Sequence, residues 1–528
     1  MRKRITQTES HFTILLVFTS ILLTHANTHT HRHQPTSISG KQSPVYSPTY
    51  GRQLQASLTV HRMRLDIDDS DADRWLTTGN ALFYARYLII KRNMLKVKNY
   101  VENHFRVYFF DEFEYPAHNC SSMLNDFPSG VSRSDLKLTM LIENNMDVDY
   151  TAIAYSCLAW QINGRPLVGL FKLNLQGVSY TPTSDFSLFG IFLHEIFHIL
   201  GFNKFYFDSY PIPPGTMESQ TSWLFRTQLS IMLIKNSSQI DILPTFAFDA
   251  VTNIARDHFG CQSMQGVPLE NGGSAHGTQL SHWKKIFMAN ELMNPSTDNR
   301  AIISNISLSY LRATGWYGIR EGAHQDWYYG KNRGCGFLQI CPNEGSEFCT
   351  ENDKHQCTHD YKSIGYCQKD KKFYPNCIVV SSTEKHCDVD FTYSKAIKDS
   401  YETFGRSSAC FNPSKNNLGI PKCLNAVCQG STAIVVSAQD RSSVMCTVDG
   451  QEFELAGDKF VCPPIADFCT KMRDRCKNDC EYDGNGICLA GGTCFCFFGE
   501  SDNKCKSSIA GIAIVAYLSL AIAISTIF

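Results

Sequence analysis

His194-Glu195-Ile196-Phe197-His198-Ile199-Leu200-Gly201-Phe202 is the stretch of this chain that decides how the rest is read. It has the form H-E-x-x-H, a helical zinc-hydrolase motif. Four residues advance an α-helix by a little over one turn, so His194 and His198 stand one above the other on the same face. Two imidazoles placed this way reach one Zn²⁺ through their ring nitrogens. Glu195 follows the first of them and is near enough to take a proton from a water on the metal. Gly201 tolerates a positive φ, which ends the helix and turns the chain back under the metal.

The flanking residues favour a helix. Ser184 and Asp185 are good N-caps just ahead of the periodic segment. From Phe186 to Leu200 there is no Pro, and Gly190 is the only Gly. Ile191, Phe192, Ile196, Phe197, Ile199 and Leu200 make the segment largely apolar, as expected of a helix through a domain interior. The alternative is a core helix that carries two His and one Glu without a role, but burying such groups unpartnered is costly.

A catalytic zinc needs three protein ligands and one open position. Zinc proteases of the metzincin type commonly place the third His six residues after the second, where this chain has Lys204, which cannot serve. His258, His276, His282 and His324 are the nearer downstream candidates. His282 is the strongest, because Met293 follows within Glu291-Leu292-Met293-Asn294-Pro295. A methionine in a tight turn beneath the metal marks that protease type and serves as an adaptable apolar floor, not a ligand. Taken alone, Met293 reads as an ordinary core residue.

Length allows two to four domains with a full-sized core. With 49 basic and 50 acidic residues, the net charge of −1 gives no electrostatic reason to expect a nucleic-acid partner. Most of the 22 cysteines lie from Cys335 onward, a density that indicates disulfides made in an oxidising compartment. Arg2, Lys3 and Arg4, then apolar Phe12 to Leu23, then Thr24-His25-Ala26, read as a secretory signal peptide over 1–26. Sequons at Asn119, Asn236 and Asn305 are glycosylation candidates on that route. Residues 27–56 read as a polar linker or short pro-segment. The apolar run in 507–528, with nothing charged after it, reads as a membrane anchor, either a GPI-attachment tail or a single span.

Helical spacing over Ala81–Val101 and strand-like runs at Leu136–Ile142, Ala152–Tyr155 and Leu167–Leu175 make an α+β pattern. The last run, directly before the active helix, is placed to form the rim of a cleft and pair with an extended peptide.

At this point the chain resembles the leishmanolysin family of surface zinc metallopeptidases. The family is similar in having H-E-x-x-H-x-x-G-F, an inserted segment, a distant third histidine and an E-L-M turn. Further landmarks follow in order: Phe259-Gly260-Cys261, Glu270-Asn271-Gly272-Gly273, Gly315-Trp316-Tyr317, and Trp327-Tyr328-Tyr329-Gly330 before Gly334-Cys335. The resemblance covers roughly residues 58 to 470. It implies that His194, His198 and His282 bind one Zn²⁺, that Glu195 is the general base and that Met293 is the turn methionine. It implies a metzincin-like domain split by an insertion, with 57–205 carrying the active helix and 206–325 the third His and Met turn. One departure stands out. The family typically keeps a pro-segment with a zinc-capping cysteine, and no cysteine here precedes Cys120.

Residues 326–470 read as a loop-rich cysteine-rich domain whose pairing spacing alone leaves open. Residues 471–506 end in C-x-C-x8-C and look like an EGF-like module. That likeness implies the pairs Cys476–Cys488, Cys480–Cys494 and Cys496–Cys505, and a rigid stalk between enzyme and anchor. The expected function is a secreted or cell-surface zinc endopeptidase acting on protein or peptide substrates. The alternative is an adhesion or receptor protein that uses the protease fold as a scaffold, and the family resemblance also implies roles in cell adhesion. The intact Glu195 favours the enzyme.

Overall fold

A computed structural model describes Val45–Tyr46 and most of residues 60–505, leaving out 72–80, 121–128, 214–223, 273–277, 339–345, 390–400 and shorter stretches. The signal-peptide and tail segments, the sequons at Asn119 and Asn236, and His276 fall outside the described residues.

Strands β1 (Val45–Tyr46), β2 (Leu65–Asp68), β3 (Leu136–Glu143), β4 (Ala152–Trp160) and β5 (Pro166–Asn174) form one sheet in the order β1-β4-β5-β3-β2. β4 runs antiparallel to β5, and the other pairings are parallel. In β3 the residues Leu136, Leu138, Met140 and Ile142 are buried and their neighbours half-buried, the period-2 pattern of a strand with one covered face. Helices α1 (Ala81–His104) and α2 (Ser184–Ile199) lie against that face, and both share its apolar cluster. α2 is already formed at Ser184, so Ser184 and Asp185 belong to its first turn and do not precede it.

The expectation that Leu167–Leu175 forms the cleft rim is corrected here. β5 lies between β4 and β3 with both edges paired, so it has no edge left for a peptide. Every residue of β5 but Lys172 is buried, which is the signature of a central strand covered on both faces. β4 is paired on its outer side by the two residues of β1, at Ala159 and Trp160, so among the described residues its half-buried stretch Ala152–Ser156 presents an open edge.

Gly169 on β5 lets α2 approach the sheet closely. A Cβ there would lie 2.4 Å from Cγ2 of Ile199, in the last turn of α2. Replacing Gly169 by Val is expected to lower folding stability by about 1–3 kcal/mol, the usual range for overpacking. Denaturant titration of the purified protein checks this, and an unchanged midpoint would show that the helix can lift off the strand freely.

Between α2 and His282 the chain makes a hairpin, Leu229–Lys235 with Ile240–Phe246, and helix α3 (Asp249–Phe259). It then returns: Val267–Pro268 pairs with Thr245–Phe246, and Leu269 bridges to Trp283. Helix α4 (Asn305–Ala313) closes this part, capped by the Ser304 side chain, which accepts from Ser307 N–H. Asn305 is its first residue and accepts from Arg312 Nη1 at 3.0 Å.

The bridges of the cysteine-rich region include Cys349–Cys367, Cys357–Cys410, Cys387–Cys423, Cys428–Cys469 and Cys446–Cys462. Two more join Cys120 to Cys157 and Cys261 to Cys335. The last module carries Cys476–Cys488, Cys480–Cys494 and Cys496–Cys505 around a hairpin of Gly486–Leu489 and Thr493–Cys496. It does not stand clear as a stalk. Ile487, Leu489 and Phe497 belong to the main core. Phe497 packs 4.7 Å from Phe189 of α2, Phe495 lies 4.5 Å from His104 of α1, and Asn99 donates to the Phe497 carbonyl at 2.7 Å. Among the described residues, no helix is long and apolar enough to cross a membrane.

Candidate metal centre

α2 delivers His194 and His198 from successive turns, and the returning chain delivers His282. Their Nε2 atoms converge: 3.0 Å from His194 to His198, and 3.2 Å from each of these to His282. Each ring is fixed from behind by a backbone carbonyl. His194 Nδ1 donates to Leu292 O at 2.6 Å, His198 Nδ1 to Phe202 O at 2.6 Å, and His282 Nδ1 to Thr278 O at 3.0 Å. A carbonyl only accepts, so the proton of each neutral ring sits on Nδ1 and each Nε2 points a lone pair at the common centre.

Three lone pairs facing one another at this distance repel unless a cation lies between them. Tetrahedral Zn²⁺ with Zn–N near 2.0–2.1 Å spaces its nitrogens by about 3.3 Å, close to what the rings adopt. Burial holds all three imidazoles neutral at physiological pH. It drives His194 down to about 4 and His282, with the His194 charge adding to it, down to about 3. His198 is pushed well below the ordinary range by burial and by its two neighbours. Neutral, pre-oriented rings of this kind fit a metal without first losing a proton.

Glu195 is 7% exposed, and burial alone pushes its carboxyl up to about 8. A divalent cation alongside pulls such a group back toward the carboxylate form.

The helix ends as Gly201 allows. Its φ is +119°, and a Cβ there would lie 2.8 Å from the buried Trp316 ring. The carbonyls left open at the helix end accept from tyrosine hydroxyls, Leu200 O from Tyr317 and Gly201 O from Tyr310. This turn brings the Phe202 carbonyl under His198. Met293 is fully buried, and its carbonyl accepts from Trp283 N–H, which ties the Met turn to the segment bearing His282. His258 is engaged elsewhere: its Nε2 bonds Tyr329 O at 2.9 Å and its ring stacks on Trp327 at 4.2 Å. Neither His258 nor His324 joins the three-histidine group.

Two buried carboxylates go unassigned in the sequence reading. Glu270 holds the loop ahead of His282. It accepts from Lys284 Nζ and Gly272 N–H at 2.7 Å each and from Lys285 N–H at 3.0 Å. Glu291 sits in the Met turn. Both lie in quoted landmarks, one on each side of His282, with Glu270 between Leu269 and Asn271 and Glu291 between Asn290 and Leu292.

With this geometry in view, sequence comparison is decisive. The sequence pattern described as leishmanolysin matches residues 86–377, more than half of the chain. The chain belongs to the leishmanolysin family. The match spans all three histidines, Glu195 and Met293. A leishmanolysin-like peptidase of Caenorhabditis elegans is 30% identical over 194 residues, 33% of this chain and 29% of that protein. The leishmanolysin homolog of Crithidia fasciculata is 23% identical over 395 residues, 65% of this chain and 56% of that protein. The leishmanolysin of Leishmania amazonensis is 24% identical over 368 residues, 60% and 57%. The chain thus spans from under a third to just over half the length of these curated relatives. Its mixed helix and strand content with a disulfide-rich C-terminal region accords with the family.

Proposed function

We propose that this protein is a zinc-dependent endopeptidase of the secretory route that hydrolyses peptide bonds in protein or peptide substrates. The observation that carries this reading is the convergence of three carbonyl-braced imidazoles beside a buried glutamate. His194, His198 and His282 would hold one Zn²⁺, which supplies polarisation of the scissile carbonyl and activation of water. Glu195 accepts the proton of the attacking water and delivers it to the leaving amine nitrogen. Met293 and Gly201 support the site without touching substrate. An extended substrate has the outer edge of β4 at Ala152–Ser156, clear of the two residues paired with β1, to pair with.

The segments around this centre follow the same reading. Residues 1–26 direct secretion, 27–56 form a linker or short pro-segment, and 507–528 anchor the chain by GPI attachment or a single span. The sequons at Asn119, Asn236 and Asn305 carry glycans, and 57–205 with 206–325 make up the catalytic unit ahead of the cysteine-rich 326–470 and the EGF-like 471–506.

Casein zymography tests this. A lysis band is expected from the secreted protein, lost with 1,10-phenanthroline and restored by added Zn²⁺. Absence of lysis in every lane would favour the adhesion or receptor scaffold.

A further inference from the structure

Glu291 is fully buried, and the donors that hold its carboxyl group are all neutral. Its Oε1 accepts from Ser304 Oγ at 2.7 Å and Ser307 Oγ at 2.6 Å, and its Oε2 accepts from Met293 N–H at 2.5 Å. A carboxyl group sunk this deep is an expensive way to hold a turn, since an apolar side chain of similar volume packs there without loss of solvation. Its position suggests what it gives in return.

Two lines lead from Glu291 to the histidines. The first is short. The carboxyl folds back on Met293 N–H and so fixes the peptide between them, whose Leu292 carbonyl takes the Nδ1 proton of His194. Leu292 N–H is held on the other side by Ile302 O at 2.8 Å, so the turn is clamped from both directions. The second line runs through Ser307. Its hydroxyl donates to Glu291 and accepts from the Trp283 indole N–H at 2.8 Å. Trp283 follows His282 in the chain, its ring is fully buried, and its backbone N–H donates to Met293 O at 3.0 Å. One carboxyl group therefore governs both the carbonyl that aims His194 and the indole that seats the His282 segment.

We propose that Glu291 is a positioning residue for the metal centre, setting the mutual placement of His194 and His282 through Leu292 O and through the Ser307–Trp283 pair. This rests on the three histidines binding zinc. The requirement is geometric. Three rings from two separated segments must meet within a few tenths of an ångström, and groups that orient ligands in this way typically change metal affinity 10–100-fold when altered.

The test uses the full secreted protein, with zinc affinity read by competition against a chromophoric chelator. Glu291→Gln keeps the volume, but its amide cannot satisfy all three donors. It is expected to bind Zn²⁺ about 10–100-fold more weakly than wild type. The Co²⁺-substituted variant is expected to shift its visible d–d bands, a signature that lost stability alone does not produce. Zinc affinity within threefold of wild type together with unshifted Co²⁺ bands would overturn the proposal. If Glu291→Gln is not secreted folded, Ser307→Ala decides instead, run beside Asn305→Gln because both remove the Asn305 sequon: it cuts the Trp283 line, and affinity and spectrum equal to those of Asn305→Gln count against the proposal. His194→Ala run alongside separates the two readings. If it binds zinc as tightly as wild type, the metal assignment itself is wrong.

Discussion

Glu195→Gln is expected to retain zinc and to lower peptide hydrolysis by about 10²–10⁴-fold, the span that general acid–base groups contribute. The substitution is nearly isosteric, and the residue is buried beside the histidines, so neither the fold nor the three Nε2 positions should move. What disappears is a group that can take a proton and give it back. A steady-state assay on an unfolded protein substrate, paired with a zinc determination on the same preparation, separates the two effects. Full zinc with residual activity near background supports the role. Full zinc with normal turnover removes Glu195 from the mechanism.

His282→Ala should have the largest effect on the metal. Removing one of three imidazoles leaves two neighbours on a single helix, which do not enclose a cation. A share of the roughly 10–16 kcal/mol that zinc supplies to a structural site is about 4 kcal/mol per ligand, or near 10³-fold in affinity. Proteolysis should vanish with it. His258→Ala is the matched control, because that ring already bonds Tyr329 O and stacks on Trp327. Equal zinc content in both variants would mean that the distant histidine has no part in the site.

How much of this was legible beforehand depended on the kind of interaction. His194 and His198 follow from spacing, because helix geometry alone puts positions four apart on one face. His282 lies 84 residues further on, and no local periodicity links it to the helix. Only the ordered landmarks around it, Met293 above all, single it out. The carbonyls of Leu292, Phe202 and Thr278 were beyond reading, since every residue has a carbonyl and nothing in a side chain says which one faces a ring. The central place of β5 is legible in its composition. The unbroken apolar run Leu167-Val168-Gly169-Leu170-Phe171 lacks the alternation of an edge strand, and continuous runs of this kind belong in sheet centres. The packing of the last module could not be foreseen, because its apolar residues are few and their partners lie hundreds of positions away.

That packing changes what counts as the minimal protein. Phe497, almost at the end of the described chain, rests on Phe189, five residues before the first metal-facing histidine. The hairpin that places it is held by three disulfides. The helix that bears His194 and His198 therefore has its rear wall finished only when this distant hairpin has been made and its disulfides have closed. Assembly of the three-histidine cluster is in this way bound to disulfide closure far downstream, and a chain cut short ahead of that hairpin leaves the back of the histidine-bearing helix uncovered.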